Sequence, residues 1–222
     1  MIDDFKLGMR VLKYGLNVKA AFIASAILLA LGILLEFVAP IMPSNGLYMG
    51  MGGMMVFQTI GSISVSAMVQ NSPQKKRLQT SVPAIMGCAY MLIVNTLFLF
   101  VKWIVSFIPI WEIFEVSFAE MSFKIILDAL FMVIMVLYQA AALKVFWVST
   151  VIFVVGYLGT YFTVTNRVIF STMQFEIPIA AAIGVSYLII LIGTFLIYGI
   201  LVLLYKKPYS KLAFESLLKR AK

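Results

Sequence analysis

From Phe123 to Thr163 the chain runs for 41 residues in which Lys144 is the only charge near the middle. Drawn out as one α-helix at 1.5 Å per residue, the run would be about 61 Å long, twice the ~30 Å hydrocarbon core of a bilayer. It is therefore expected to fold back on itself, with Lys144 marking the turn.

Further apolar runs at 20–38, 47–69, 83–108 and 178–205 accompany this pair, which divides into 125–143 and 145–164. The chain is 63% hydrophobic and 12% charged, with a mean hydropathy of +1.06. A soluble domain carries about 25% charge, so a single water-soluble core cannot hide this much apolar surface and the expected solvent is lipid. The lone Cys88 lies inside an apolar run and excludes a disulfide framework. No N-x-[ST] sequon occurs, and Asp3 and Asp4 spoil the basic start of a signal peptide, so no cleaved leader is expected.

The reading is an all-α integral membrane protein. An amphipathic interfacial helix over 1–18 precedes a six-span domain over 19–205, and a basic cytoplasmic tail follows over 206–222. Lys6, Arg10, Lys13, Lys19, Lys75, Lys76, Arg77, Lys144 and the basic residues from Lys206 onward place 14 of the 17 Lys and Arg on one face. Lys102, Lys124 and Arg167 remain for the other, with Glu112, Glu115, Glu120 and Glu176. This excess predicts cytoplasmic N- and C-termini. Trp103 and Trp111 are expected at the outer boundary and Trp147 at the inner one.

The N-terminal segment repeats Ile2, Phe5, Met9, Leu12 and Leu16 at helical spacing, with Asp3, Lys6, Arg10, Lys13 and Asn17 on another face. Such a helix lies in the cytoplasmic interface, with Asp3 and Asp4 at its positive N-terminal end. Between the second and third spans stands "NSPQKKRLQTS", residues 71–81, with Leu78 as its only apolar side chain. It serves either as a topology signal alone or as a docking surface. The tail breaks at Pro208, with a short basic helix expected from near Ser210.

This layout resembles the permease subunit of ABC-2 type transporters, particularly the small permeases of Gram-positive exporters of bacteriocins and phenol-soluble modulins. The likeness covers the whole chain, and its most specific local feature is the Ser-Pro and basic cluster at 72–77. The resemblance implies a bacterial plasma membrane, two cytosolic ABC ATPase subunits, a second permease copy or homologue, and a peptide substrate. It implies that Asn71, Ser72, Pro73, Gln74, Lys75, Lys76, Arg77, Leu78, Gln79 and Thr80 couple to the ATPase, with secondary contact from Lys6, Arg10 and Lys13. Short re-entrant helices between the last two spans are usual in that family, whereas only residues 165–177 are clearly extramembrane here.

The chain has no histidine, which excludes His-based acid–base catalysis and His-ligated metal sites. No P-loop motif occurs, so ATP and Mg belong to a partner, this chain binds no cofactor or metal of its own, and it is expected to be non-catalytic. Its basic residues suit headgroups rather than nucleic acid. "GMGGMM" at 50–55 reads as glycines for close helix packing.

Polar residues inside the spans are costly and form the remaining candidates. Asp128 and Lys124 are spaced for an ion pair on one helix face. Glu36 and Lys102 fall near outer ends, where snorkelling would suffice. Gln58, Ser62, Asn95 and Asp128 are the possible substrate path, although hydrogen bonds between helices explain Asn95 and Gln139 better. The 14 methionines suit an amphipathic or hydrophobic peptide.

Three function classes stay open from the sequence. One is a permease subunit of a peptide-exporting ABC complex. Another is the substrate-binding membrane subunit of an energy-coupling-factor vitamin importer, for which the alanine-rich "AFIASAILLALGILLEFVAP" is suited. The third is a membrane immunity protein.

Overall fold

A computed structural model of the chain describes residues 2–14, 18–38, 45–64, 67–107, 118–165 and 177–211. All regular structure in these residues is helical, with no strand among them. In chain order the elements are α1 (Ile2–Tyr14), α2 (Val18–Val38), α3 (Asn45–Ser64), α4 (Ala67–Gln70), α5 (Lys75–Gln79), α6 (Ser81–Val105), α7 (Phe118–Ala142), α8 (Phe146–Thr165) and α9 (Ile179–Leu204). Trp111, Glu112, Glu115, Arg167 and Glu176 lie outside the described residues, as do the rest of 166–176 and the tail beyond Lys211.

Among the described residues, four segments are long and apolar enough to cross a membrane: Val18–Val38, Lys75–Val105, Glu120–Ala142 and Ile179–Leu204. They are compatible with a membrane-embedded protein. The long apolar run breaks where expected, α7 ending at Ala142 and α8 starting at Phe146 across a turn that holds Lys144. Helix α8 is also apolar but offers the shorter stretch Phe146–Gly159. Helix α3 mixes apolar residues with glycine, Gln58, Thr59 and serines and falls outside the four.

Helix α7 is the axis of the bundle, with α3 and α9 on its sides, α8 on its flank and α6 beyond. Lipid tails are as apolar as leucine, so helices in a membrane gain little from mutual burial and depend on close packing. The glycines of α3 supply it. A Cβ on Gly46 would lie 2.5 Å from the carbonyl oxygen of Asp128, and one on Gly50 would lie 3.2 Å from the Cα of Met132. Backbone therefore meets backbone along α3 and α7. Phe57, Met91, Val94, Phe98, Met132, Val136, Ile190 and Ile197 fill the interior above and below this contact. The outward faces are apolar: Phe22, Ile27 and Leu34 on α2, Val151 and Val155 on α8, Leu188 and Phe195 on α9 are all exposed.

Helix α8 is held by aromatic contacts instead. Tyr138 stacks on Phe153 at 4.7 Å between ring centroids, and Phe131 meets Tyr157 edge-on at 5.8 Å. Pro83, in the first turn of α6, is tolerated because its missing N–H has no partner within the helix there.

The packing argument predicts that Gly46→Ala costs about 1–3 kcal/mol, measured as a lowered melting temperature in mild detergent. Gly199→Ala, where an added Cβ meets nothing within 4 Å, should leave that temperature unchanged or slightly raised.

Candidate functional site

Two polar assemblies occupy opposite ends of the bundle. The first is built on α1 and α5. Ser72 starts the segment: its hydroxyl accepts from the Gln74 N–H at 3.1 Å, and its carbonyl accepts from the Lys75 N–H at 3.1 Å. With Pro73 fixing φ, these bonds wind the chain into α5, which ends after one turn at Thr80. Thr80 both caps α5 and precedes α6, and its hydroxyl donates to the Lys76 carbonyl at 2.7 Å. Helices α5 and α6 are thus joined with no slack.

Among the ten residues of this segment, Asn71, Pro73, Gln74, Lys76 and Arg77 are exposed, Ser72 and Lys75 are half-buried, and Leu78, Gln79 and Thr80 are buried. Leu78 roots α5 in a small apolar cluster with Leu12, Ile60, Val82 and Met86. Arg77 forms an ion pair with Asp4 of α1, its Nε donating to Asp4 Oδ1 at 2.8 Å. Asp4 is therefore more than a charge at a helix N-terminus; it ties α1 to α5.

Helix α1 has three faces rather than two. Gly8 and Leu12 are turned toward α6, with the side chains of Met86 and Val82 closest to Gly8. Ile2, Phe5 and Met9 are exposed, as lipid-facing residues would be. Lys6, Arg10 and Lys13 are exposed on the polar face. The single apolar stripe expected from spacing is split, with Leu12 against protein and its neighbours outside.

The chain after α9 closes the same end. The hydroxyl of Tyr209 lies 2.7 Å from that of Ser64, the Ser210 N–H donates to the Leu143 carbonyl at 3.1 Å, and Lys144 Nζ donates to the Lys207 carbonyl at 2.9 Å. Lys144 also sits 3.7 Å from the centre of the Tyr209 ring. Burial, with Lys75 nearby as a smaller cause, pushes the Lys144 ammonium down from 10.5 to about 8. Burial pushes the Tyr209 phenol up, against the opposing Ser64 hydrogen bond.

The second assembly joins α2, α3, α6 and α7. Lys102 Nζ lies 2.8 Å from Glu36 Oε1 and 3.3 Å from Asp128 Oδ2, and Lys124 Nζ lies 3.0 Å from Glu36 Oε2. Asn45 Nδ2 donates to Glu36 Oε2 at 2.6 Å, and the Gly46 N–H donates to Asp128 Oδ1 at 3.1 Å. Lys102 also lies 4.4 Å from the centre of the Phe98 ring. All four charged residues are buried, with Glu36, Lys102 and Asp128 at 0% exposure. The snorkelling expected of Glu36 and Lys102 is overturned. Their side chains turn inward because each finds an opposite charge there, a stronger partner than the interface. Asp128 pairs with Lys102 on a different helix, and Lys124 reaches Glu36. The Asp128 Oδ2 contact is close enough for an ion pair, and among the described residues neither it nor Asn45 Oδ1 has a hydrogen-bond partner.

The other path candidates engage separate partners. Asn95 Nδ2 donates to Ser186 Oγ of α9 at 3.2 Å, Ser62 Oγ donates to the Thr59 carbonyl of its own helix at 2.8 Å, and Gln58 Oε1 is buried without a hydrogen-bond partner among the described residues. A small cavity of about 50 Å³ lies between α1, α2, α3 and α6, lined by Leu12, Phe22, Ser25, Val56, Thr59 and Tyr90. Two of its polar groups bond to backbone: Tyr90 OH donates to the Met49 carbonyl at 2.8 Å, and Ser25 Oγ to that of Gly52 at 3.3 Å. Among the described residues, no group of three or more Cys, Asp or Glu is arranged to hold a metal.

Comparison with family models, with curated proteins and with solved structures finds no match to this chain.

With the folded pKa of Lys144 lowered, the folded chain holds fewer protons than the unfolded one between pH 8 and 10.5, so this contact gains stability as pH rises through that window. Amine acylation of Lys144, followed by mass spectrometry across pH, should half-saturate near pH 8. Lys75→Gln should move that midpoint upward.

Proposed function

We propose that this chain is a six-span permease subunit of an ATP-driven exporter, with both termini in the cytoplasm of a bacterial cell. It would pair with a second permease copy or homologue and with two cytosolic ATPases that supply ATP and Mg. The observation that supports this reading is α5. It is a one-turn helix at one end of the bundle: Lys76, like Pro73 and Gln74 just before the helix, is exposed, while Leu78 and the following Thr80 are buried. A loop that only set topology would need its charge alone. This one is also anchored by an apolar side chain, tied to α1 through Arg77 and Asp4, and joined without a linker to the 25 residues of α6. Such an element can pass a push from a bound partner into the spans.

An amphipathic or hydrophobic peptide is the proposed cargo, supported by the 14 methionines and the apolar interior.

The test separates contact from scaffold. Lys76 is exposed, so Lys76→Glu should weaken co-purification of a P-loop ATPase from the native host by about tenfold in dilute salt, with no change in melting temperature. Arg77→Asp alone should also loosen α1, and Asp4→Arg with Arg77→Asp should restore that attachment. A complex that survives Lys76→Glu intact would remove the electrostatic part of the proposal.

A further inference from the structure

The end of the bundle away from α1 and α5 is fastened by charge as well as by apolar packing. Glu36 links α2 to α6 through Lys102, to α7 through Lys124 and to α3 through Asn45. Asp128 links α7 to α6 through Lys102 and to α3 through the Gly46 N–H. Of the six pairings among these four helices, only α3 with α6 lacks a bridge within this set. Helices α8 and α9 contribute no charged residue.

We propose that Glu36, Lys102, Lys124 and Asp128 form a lock that holds this end of the bundle shut and releases it in one step when water enters. Within this set two carboxylates face two ammoniums, and all four residues are buried. Separating the helices without water would strand each charge in apolar surroundings, which is strongly unfavourable. Separating them with water hydrates all four. Closed-and-dry and open-and-wet are therefore both tolerable, and the states between them are not. Lys102, shared between Glu36 and Asp128, makes release concerted, because moving α6 withdraws the same cation from both.

A permanent staple would not be built this way. Apolar side chains of similar volume hold helices together as well as or better than buried ion pairs. What ions add is the capacity to be rehydrated. The two acceptors without a hydrogen bond, Asn45 Oδ1 and Asp128 Oδ2, stand where the first waters would bind. The proposal stands whether or not an ATPase drives the opening.

The experiment uses the full chain in mild detergent with Cys88→Ala, and reads the rate at which a bulky, charged maleimide labels a buried thiol. Val94→Cys places the thiol in the interior two turns from Lys102, and Ile60→Cys places a control at the α1 and α5 end. Adding Glu36→Gln should raise labelling of the Val94→Cys thiol roughly tenfold or more. The Ile60→Cys thiol should stay within about twofold. An unchanged rate at Val94→Cys, or an equal rise at both positions, would overturn the lock. Should Glu36→Gln fail to fold, the combined Glu36→Leu, Lys102→Leu, Lys124→Leu and Asp128→Leu variant tests the same idea. It should fold and label at Val94→Cys more slowly than the native set, and labelling as fast as the native set would defeat the proposal.

Discussion

An ion in hydrocarbon must find its opposite within reach, and the architecture at one end of this bundle follows from that requirement. Glu36, Lys102 and Asp128 are fully buried, and bulk solvent does not reach them to share the cost of their charge. Removing one partner would leave another uncompensated, a loss of about 3–5 kcal/mol in comparable buried pairs. The helix ends that hold these residues are therefore fixed relative to one another. The glycines of α3 then decide how close they come. With Gly46 against the backbone of Asp128, the Gly46 N–H reaches the Asp128 carboxylate directly, and Asn45 reaches Glu36 from the adjacent position. The ion network and the glycine contact are one feature seen from two sides.

The opposite end obeys different physics. There Leu12, Ile60, Leu78, Val82 and Met86 form an apolar cluster beneath a layer of charge. The Arg77 and Asp4 ion pair above it is half open to solvent, and exposed pairs of this kind are worth about 0.2–1 kcal/mol. That is enough to orient α1 on α5 and too little to fix either. Strong, dry charges close one end, whereas weak, wet charges decorate the other. Only the second can exchange partners freely.

The long helices were legible in the sequence because a membrane imposes both length and apolarity, and α2, α6, α7 and α9 satisfy both. The fold-back at Lys144 was legible because 41 residues of helix do not fit a bilayer. The helical form of α1 was legible from its spacing, but the split of its apolar stripe was not, since spacing cannot say whether Leu12 or Phe5 meets protein. The ion network was the larger omission. Lys124 and Asp128 are four residues apart and suggested each other, whereas Glu36 and Lys102 are separated by 66 residues and nothing local connects them. One signal was available: Glu36, Lys102, Lys124 and Asp128 all fall in or beside apolar runs near the same expected boundary, and could have been matched with one another before any was assigned to snorkelling.

Helix α6 connects the two ends, and its geometry bears on how they could act together. It begins at Thr80, the residue that also caps α5, and near its other end it holds Lys102, the cation shared by Glu36 and Asp128. The two points are about 33 Å apart along a straight helix. A small tilt imposed at α5 would therefore become a displacement of Lys102 comparable to the length of its contacts at 2.8 and 3.3 Å. The residues between them, Met91, Val94 and Phe98, are buried against α7 and α9 and would have to slide rather than compress, since packed interiors do not deform continuously. Under the exporter proposal, that is the reason to seat a partner on α5: the segment is short and has no slack, and it begins the one helix whose far end holds the shared charge.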